Sequence, residues 1–267
     1  MVGMGMLPEE CISYIISFTS PMDACRSARV CRLFRSAADS DVVWERFLPH
    51  DILQILSDSD LASSMHWLSK KKLFFRLSHC PILVGGDRNR SFAIDKRSGK
   101  KCYMSGARRL SIARGNAPYW QWIQKWRQSR FYDVAKLDHV WWFKIVGRIE
   151  TNILSQKTTY TAYFVYKLEE NSSGFHLPIT KRVYFKGQGE SNRDESTCTL
   201  DIRDPTPPPL DRHNLPQVRG DGWMEIEIGE FYNDCGDAGL VICRLYGLRA
   251  VLYSGIVVEG IELRPKA

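Results

Sequence analysis

The feature that most constrains this chain is a change in hydrophobic period near residue 91. Before it, apolar residues recur at the three- and four-residue spacing of one helix face, as Ile12, Ile15 and Ile16 do. After it, apolar and polar residues alternate, as in residues 224–228, which is typical of a strand with one wet face. Helices first, followed by many short strands, predict an α+β chain ending in an antiparallel β-sandwich or jelly roll.

The helical part contains recognisable helix starts. Ser20, Pro21 and Asp23 form one, because serine caps, proline fits the first turn and aspartate complements the positive end of the helix dipole. Residues 39–41 predict another start, ahead of Trp44. The three helices expected in the first 45 residues or so are too few to enclose a sizeable core. Their apolar faces need either the following segment or a partner protein.

Composition and the chain start limit the class of protein. Of the 267 residues, 44% are hydrophobic and 25% charged, which excludes a disordered chain and a coiled coil. No apolar run approaches the roughly 18 residues of a membrane span, and the first ten residues do not form a signal peptide. We therefore expect a soluble protein of the cytoplasm and nucleus that needs no membrane.

No metal, cofactor or catalytic motif is evident. The eight cysteines form no C-x-x-C pair, and the six histidines complete no zinc spacing. A nucleophile elbow, a P-loop and an H-E-x-x-H motif are all missing, and two glycines at 187 and 189 are a weak match to a phosphate loop. We expect a binding protein without cofactor or catalytic residues. The prolines of residues 205–209 indicate a long surface excursion over residues 187–221.

The positive charge is concentrated in the middle of the chain. Residues 51–150 carry nineteen basic and eight acidic side chains, a net charge of +11, whereas the whole chain has +7. A basic face can attract nucleic acid or an acidic protein, although short clusters are usually only a solvated surface. Nucleic-acid binding is therefore the weakest hypothesis, and a steep salt dependence would be its signature.

The N-terminal segment closely resembles an F-box. The matching residues are 7–12, 15–16, 20–23, 30–32, 34, 41–44 and 47–49, in the order and spacing of that motif. The resemblance implies docking on the Skp-type adaptor of a cullin–RING (SCF) ubiquitin ligase. By the family pattern, the residues that bury against the adaptor are Leu7, Pro8, Ile12, Ile15, Ile16, Pro21, Val30, Cys31 and Trp44. The alternative is that they form only an internal helical core.

The remainder resembles the plant phloem protein two, or Nictaba-like, lectin domain. The stretches that carry the resemblance are residues 106–112, 118–122, 140–142, 147–151, 221–231 and 254–265. The two resemblances divide the chain into an F-box at 1–50, a helical and linker segment at 51–100 and a jelly-roll sandwich at 101–267.

Such lectin domains bind N-acetylglucosamine oligomers, with aromatic rings stacked on the sugar. The residues assigned by the resemblance are Arg114, Asn116, Tyr119 and Trp120. Arg114 stands where the family has a tryptophan, and Trp120, the second family tryptophan, is expected in a loop. Trp141, Trp142 and Trp223 are expected to pack in the core.

Two functions remain open for the sandwich of an adaptor that links substrate to ligase. It binds N-acetylglucosamine-containing glycans of a glycoprotein, or it has lost sugar binding and grips a protein surface. The arginine at position 114 favours the second.

Overall fold

A computed structural model describes residues 7–59, 61, 67–187, 195–201, 215–235 and 239–266. The chain forms two units, Met1–Gly86 with Phe92–Cys102 and Asp87–Ser91 with Tyr103–Ala267. The prolines at 205–209 lie outside the described residues. Among the described residues, no helix is both long enough and apolar enough to cross a membrane.

The first unit is helical. Its helices are α1 (Glu9–Ser17), α2 (Pro21–Ser27), α3 (Arg32–Asp39), α4 (Asp41–Phe47), α5 (Ile52–Ser57) and α6 (Lys70–His79). The start signal at Ser20 is confirmed, since its side chain accepts a hydrogen bond from the Asp23 amide. The expectation of three helices before residue 50 is wrong. Cys31 has an extended backbone and begins a new helix, which makes four.

Trp44 lies at the centre of the first unit's core. Its side chain is fully buried, and its indole N–H donates to the Ala38 carbonyl at 2.7 Å. The rings of Phe74 and Phe75 on α6 lie 5.2 and 5.1 Å from the Trp44 ring, centroid to centroid. The segment that follows the first four helices thus covers part of their apolar surface. For this reason residues 51–86 belong to the first unit rather than to a separate linker.

The strands are β1 (Ile82–Val84), β2 (Arg90–Ile94), β3 (Lys101–Gly106), β4 (Ser111–Ile112), β5 (Trp120–Gln124), β6 (Asp133–Leu137), β7 (Lys144–Glu150), β8 (Thr158–Ser173), β9 (Ile179–Phe185), β10 (Ser196–Cys198), β11 (Gln217–Val218), β12 (Met224–Asn233), β13 (Leu240–Tyr246) and β14 (Ser254–Pro265). In the second unit, one sheet has the order β3-β14-β8-β12-β11, with β6 also paired to β14 and β5 to β6. The other has the order β10-β9-β13-β7-β4.

These two antiparallel sheets confirm the predicted sandwich. Alternate residues of the long strands face inward, such as Phe164 and Tyr166 on β8 and Ile226 and Ile228 on β12, and all four are buried. The sheets approach closely at Gly147, where a Cβ atom would lie 2.8 Å from the Ile261 side chain. A larger residue at position 147 would therefore require the Ile261 side chain to shift.

A buried charge network ties two loops to the sheet that contains β14. Glu262 on β14 accepts hydrogen bonds from Arg130 at 2.6 Å and from Arg219 at 2.7 Å. Arg219 also donates to Glu225, which accepts from Arg264. Burial alone would raise the pKa of Glu262, but the three arginines outweigh it and lower the pKa to about 2.

We expect Glu262→Gln to destabilise the chain by about 3 kcal/mol at pH 7, because Arg130 loses its carboxylate partner and Arg219 keeps only Glu225 and Asp221. The pKa of Glu262 is lowered from its ordinary value of 4.5 to about 2. Its contribution is therefore complete above pH 4.5 and is lost as the pH falls toward 2. Urea denaturation at neutral and acid pH should show the gap between variant and wild type shrinking at the lower pH.

Glu259→Gln is the matched control on the same strand. Burial raises the pKa of Glu259, and its Oε2 atom has no hydrogen-bond partner among the described residues. Removing this charge is expected to change stability by less than about 1 kcal/mol. Equal losses in both variants would contradict the role given to the arginine network.

Candidate functional site

The first unit leaves one side of α1 uncovered. Ile12 and Ile16 are buried, yet the opposite side of the same helix exposes Cys11, Tyr14, Ile15 and Phe18, which we call the α1 outer face. Tyr14, Ile15 and Phe18 are each more than half exposed. These residues follow the helical repeat, so α1 is apolar on both sides.

The α1 outer face continues onto α4. The Tyr14 and Phe18 rings meet edge to face, with centroids 4.8 Å apart, and the Arg46 guanidinium lies 3.9 Å from the Phe18 centroid. One turn earlier on α4, Val42 is 57% exposed. A group of exposed apolar residues of this kind is a candidate interaction site.

The structure divides the nine predicted adaptor contacts into two groups. The exposed ones are Leu7, Pro8, Ile15, Val30 and Cys31, and the buried ones are Ile12, Ile16, Pro21 and Trp44. For the buried four the prediction of direct contact is corrected, because the core of the first unit already encloses them. The five exposed residues stay predicted contacts. Tyr14, Phe18 and Val42 are also exposed and were not among the predicted contacts; of these, Phe18 lies three residues after Ile15 and so shares its helix face.

In the second unit, the predicted sugar contacts lie in a tight loop between β4 and β5. Arg114 has a left-handed backbone (φ 54°), and its Nη1 donates to the Tyr119 hydroxyl at 2.9 Å. The Asn116 carbonyl accepts from the amides of Tyr119 and Trp120, at 3.1 and 3.2 Å. Arg114, Asn116 and Tyr119 are therefore together at the surface.

Trp120 does not belong to this surface. It begins β5 instead of lying in a loop, and only 2% of its surface is exposed. Its indole N–H finds no acceptor among the described residues. Because the Trp120 ring is buried, a sugar cannot stack on it. The predicted stacking role is therefore corrected to packing in the core beside the loop.

Two tryptophans predicted to lie in the core are on the surface instead. Trp141 is 60% exposed and Trp142 is 40% exposed, in the turn between Val140 and β7. Trp223 is fully buried, as expected. The alternation of the neighbouring strand suggested burial, because a turn that begins after Val140 gives no glycine or proline signal.

Trp141 and Trp142, which we call the tryptophan platform, lie near the predicted loop. The Ala113 amide donates to the carbonyl of Lys144, and the Asp138 amide donates to the carbonyl of Tyr119, both at 2.9 Å. The Tyr119 and His139 rings are in edge contact at 5.9 Å. The sequence between positions 138 and 144 thus connects the two groups of residues.

Among the described residues, no group of three or more histidine, cysteine, aspartate or glutamate side chains is placed to hold a metal ion. What the two surfaces offer is contact area: apolar helix on one unit, indole faces with polar neighbours on the other. Exposed apolar and aromatic surfaces of this kind are suited to binding.

An uncovered F-box-like helix and an aromatic surface on a β-sandwich define a protein with two binding modules. The family models agree with this division, since the F-box-like model matches residues 4–50 and the phloem protein 2 model matches residues 100–265. The chain belongs to the phloem protein 2 family and to its F-box-containing members.

Two relatives match this chain over nearly all of both sequences. The F-box protein PP2-B10 of Arabidopsis thaliana is 42% identical, over 97% of this chain and 92% of its own. The F-box protein VBF of the same plant is 36% identical, over 98% and 100%.

Solved structures with a similar chain path include a family 35 carbohydrate-binding module from Clostridium thermocellum. It is 10% identical with a TM-score of 0.33, over 61% of this chain and 96% of the module. A mannanase from Podospora anserina containing such a module is 11% identical with a TM-score of 0.37, over 62% and 28%.

We expect Trp120→Ala and Trp141→Ala to differ in stability, because the first tryptophan is buried in the core and the second is exposed. The first opens a cavity in the core and should cost about 3–5 kcal/mol of unfolding free energy. The second removes an exposed ring and should change stability by less than about 0.5 kcal/mol. Urea denaturation of the full chain measures both, and comparable losses would show that Trp141 is packed rather than presented.

Proposed function

We propose that this chain is the non-catalytic substrate-recognition subunit of an SCF-type ubiquitin ligase. The first unit docks on a Skp-type adaptor and through it on a cullin, in the cytoplasm and nucleus, while the sandwich selects the substrate. Ubiquitin transfer is left to other subunits, and this chain contributes positioning.

The uncovered side of α1 is the observation that carries the docking proposal. One apolar side of α1 packs in the core, and covering its second apolar side would remove further apolar surface from water, which is favourable. Within the first unit, α6 reaches Trp44 but not the α1 outer face, where Tyr14, Ile15 and Phe18 stay exposed. A partner that covers this face gains both apolar area and aromatic contacts.

Ile15→Lys combined with Phe18→Lys should abolish co-purification with the Skp-type adaptor. Each change places a charge in the proposed contact, and loss of an interface hot spot typically costs 2 kcal/mol or more, or about thirtyfold in affinity. Co-expression with the adaptor, followed by size-exclusion chromatography, gives the measurement.

Leu53→Lys is the matched control for the docking experiment. Leu53 is an apolar residue of α5 that is 61% exposed, and it belongs to the same unit but not to the α1 outer face. The control should retain the adaptor, and circular dichroism should show unchanged helix content in both proteins. Adaptor binding by the double variant at wild-type affinity would overturn the docking proposal.

For the sandwich, we propose binding of N-acetylglucosamine-containing glycans on the substrate glycoprotein. The proposal is supported by the exposed indoles of the tryptophan platform, which lie next to Tyr119 and Asn116 as polar neighbours. An indole stacks on the apolar face of a pyranose, and amides or hydroxyls then bond to its substituents.

Chitohexaose tests the glycan proposal. Titration calorimetry on the full chain should detect binding that falls at least tenfold in Trp141→Ala with Trp142→Ala, which the exposure of both rings predicts to remain folded. Arg114→Trp adds a ring beside Tyr119 and should strengthen binding. A flat glycan array with several folded preparations would exclude this function.

The second candidate, recognition of a protein surface, rests on Leu248 and Leu252. These side chains are 50% and 39% exposed in the loop after β13, and Tyr253 bonds to Val140 just before the platform. Capture of an unglycosylated protein that is lost in Leu248→Ser, with chitohexaose inert, would favour this candidate.

A further inference from the structure

We propose that the tryptophan platform binds oligosaccharides that carry carboxylates, with the indoles stacked on the pyranose rings and a rim of cations holding the acidic groups. This inference rests on the carbohydrate part of the proposed function. To the proposed carbohydrate function, the inference adds the requirement that the sugar be negatively charged. The family resemblance does not imply this requirement.

The rim is built by three elements that end near the platform. Lys144 begins β7, and its Nζ lies 5.4 Å from the centroid of the Trp142 ring. Tyr246, the last residue of β13, pairs with Lys144, so the following loop brings the Arg249 guanidinium to 5.7 Å from the same ring. Both cations lie over the Trp142 ring, which is 40% exposed, and the neighbouring Trp141 ring is the more exposed indole at 60%.

Arg114 supplies a third cation on the side of Tyr119. Its guanidinium lies 5.0 Å from the Tyr119 centroid, and Tyr119 contacts the ring of His139. Because Ala113 bonds to the backbone of Lys144, the loop that presents Arg114 is fixed next to the start of β7. Cations thus lie beside Tyr119 and over Trp142, on two segments that backbone hydrogen bonds hold together.

These cations are not neutralised within the part of the second unit that the structure describes. Arg114, Lys144 and Arg249 form no ion pair with a described carboxylate, whereas Arg108, Arg109 and Lys136 nearby in the sequence each have one. The neighbouring acid, Asp138, accepts a hydrogen bond from the Gln121 amide at 2.7 Å. A ligand with negative charges would supply the missing partners.

The exposed indoles of the tryptophan platform limit which class of anionic ligand fits this surface. A linear polyanion without flat apolar faces would need only the cations, and the exposed indoles would then add nothing to its binding. A pyranose that carries a carboxylate uses both features, because its ring stacks while its acidic group meets a lysine or a planar guanidinium. A uronic acid oligomer therefore fits better than a neutral sugar or an acidic peptide.

Three probes of six units each test the inference on the full chain by titration calorimetry. Hexagalacturonate has rings and carboxylates, chitohexaose has rings alone, and hexaglutamate has carboxylates alone. Hexagalacturonate should bind at least tenfold more tightly than either of the others. Its affinity should fall with salt, because exposed charges are screened.

Variants at the rim and the platform assign the binding. Lys144→Gln and Arg249→Gln should each weaken hexagalacturonate about fivefold, as expected for a partly exposed ion pair. Trp142→Ala should weaken it at least tenfold. The matched control is Arg127→Gln, an exposed cation beyond the far end of β5, which should leave the affinity unchanged.

Each other outcome overturns the inference. Equal binding of hexaglutamate, or an equal effect of Arg127→Gln, would reveal attraction by net charge alone. Chitohexaose bound at the platform with hexagalacturonate inert would refute the charge requirement and leave the proposed glycan function standing. If neither sugar binds, the carbohydrate function fails as well.

Discussion

In both units, some large apolar side chains form the core and others are exposed, and this division determines what is left for binding. Trp44 and Trp120 are buried and hold other elements in place, so each position accepts only a large flat side chain. The same residue types on α1 and in the turn before β7 are exposed, although burial would be favourable by roughly 25 cal/mol per Å² of apolar surface. Large apolar side chains that are exposed next to a hydrophobic core are candidates for contact with other molecules.

Much of the fold was predictable because the hydrophobic period changes so clearly. The helix starts at Ser20 and Ser40 and the alternation of β12 gave the right element types, and the resemblance gave the order of modules. The break at Cys31 was not predictable, since an extended cysteine between two helices carries no glycine or proline signal. Its effect is to add a helix and to change which apolar residues share a face.

The site was harder to predict, because sequence pattern does not separate a buried aromatic residue from a presented one. Trp120 follows proline and tyrosine, as in a loop, yet strand pairing with β6 buries it. Trp141 and Trp142 follow the buried Val140 and precede the buried Phe143, yet a turn exposes both. Trp120 pairs with Leu137 of β6, and Val140 bonds to Tyr253, so both placements depend on residues distant in sequence, which local periodicity does not contain.

The two-sided apolar character of α1 has a consequence for the supply of this protein. A chain made in excess of the partner that covers α1 would keep the α1 outer face exposed. Exposed apolar surfaces of this kind favour self-association and removal by quality control. By mass action, a bound partner stabilises the folded chain in proportion to the logarithm of its concentration. The amount of usable protein would then follow the abundance of its partner, without any dedicated sensor.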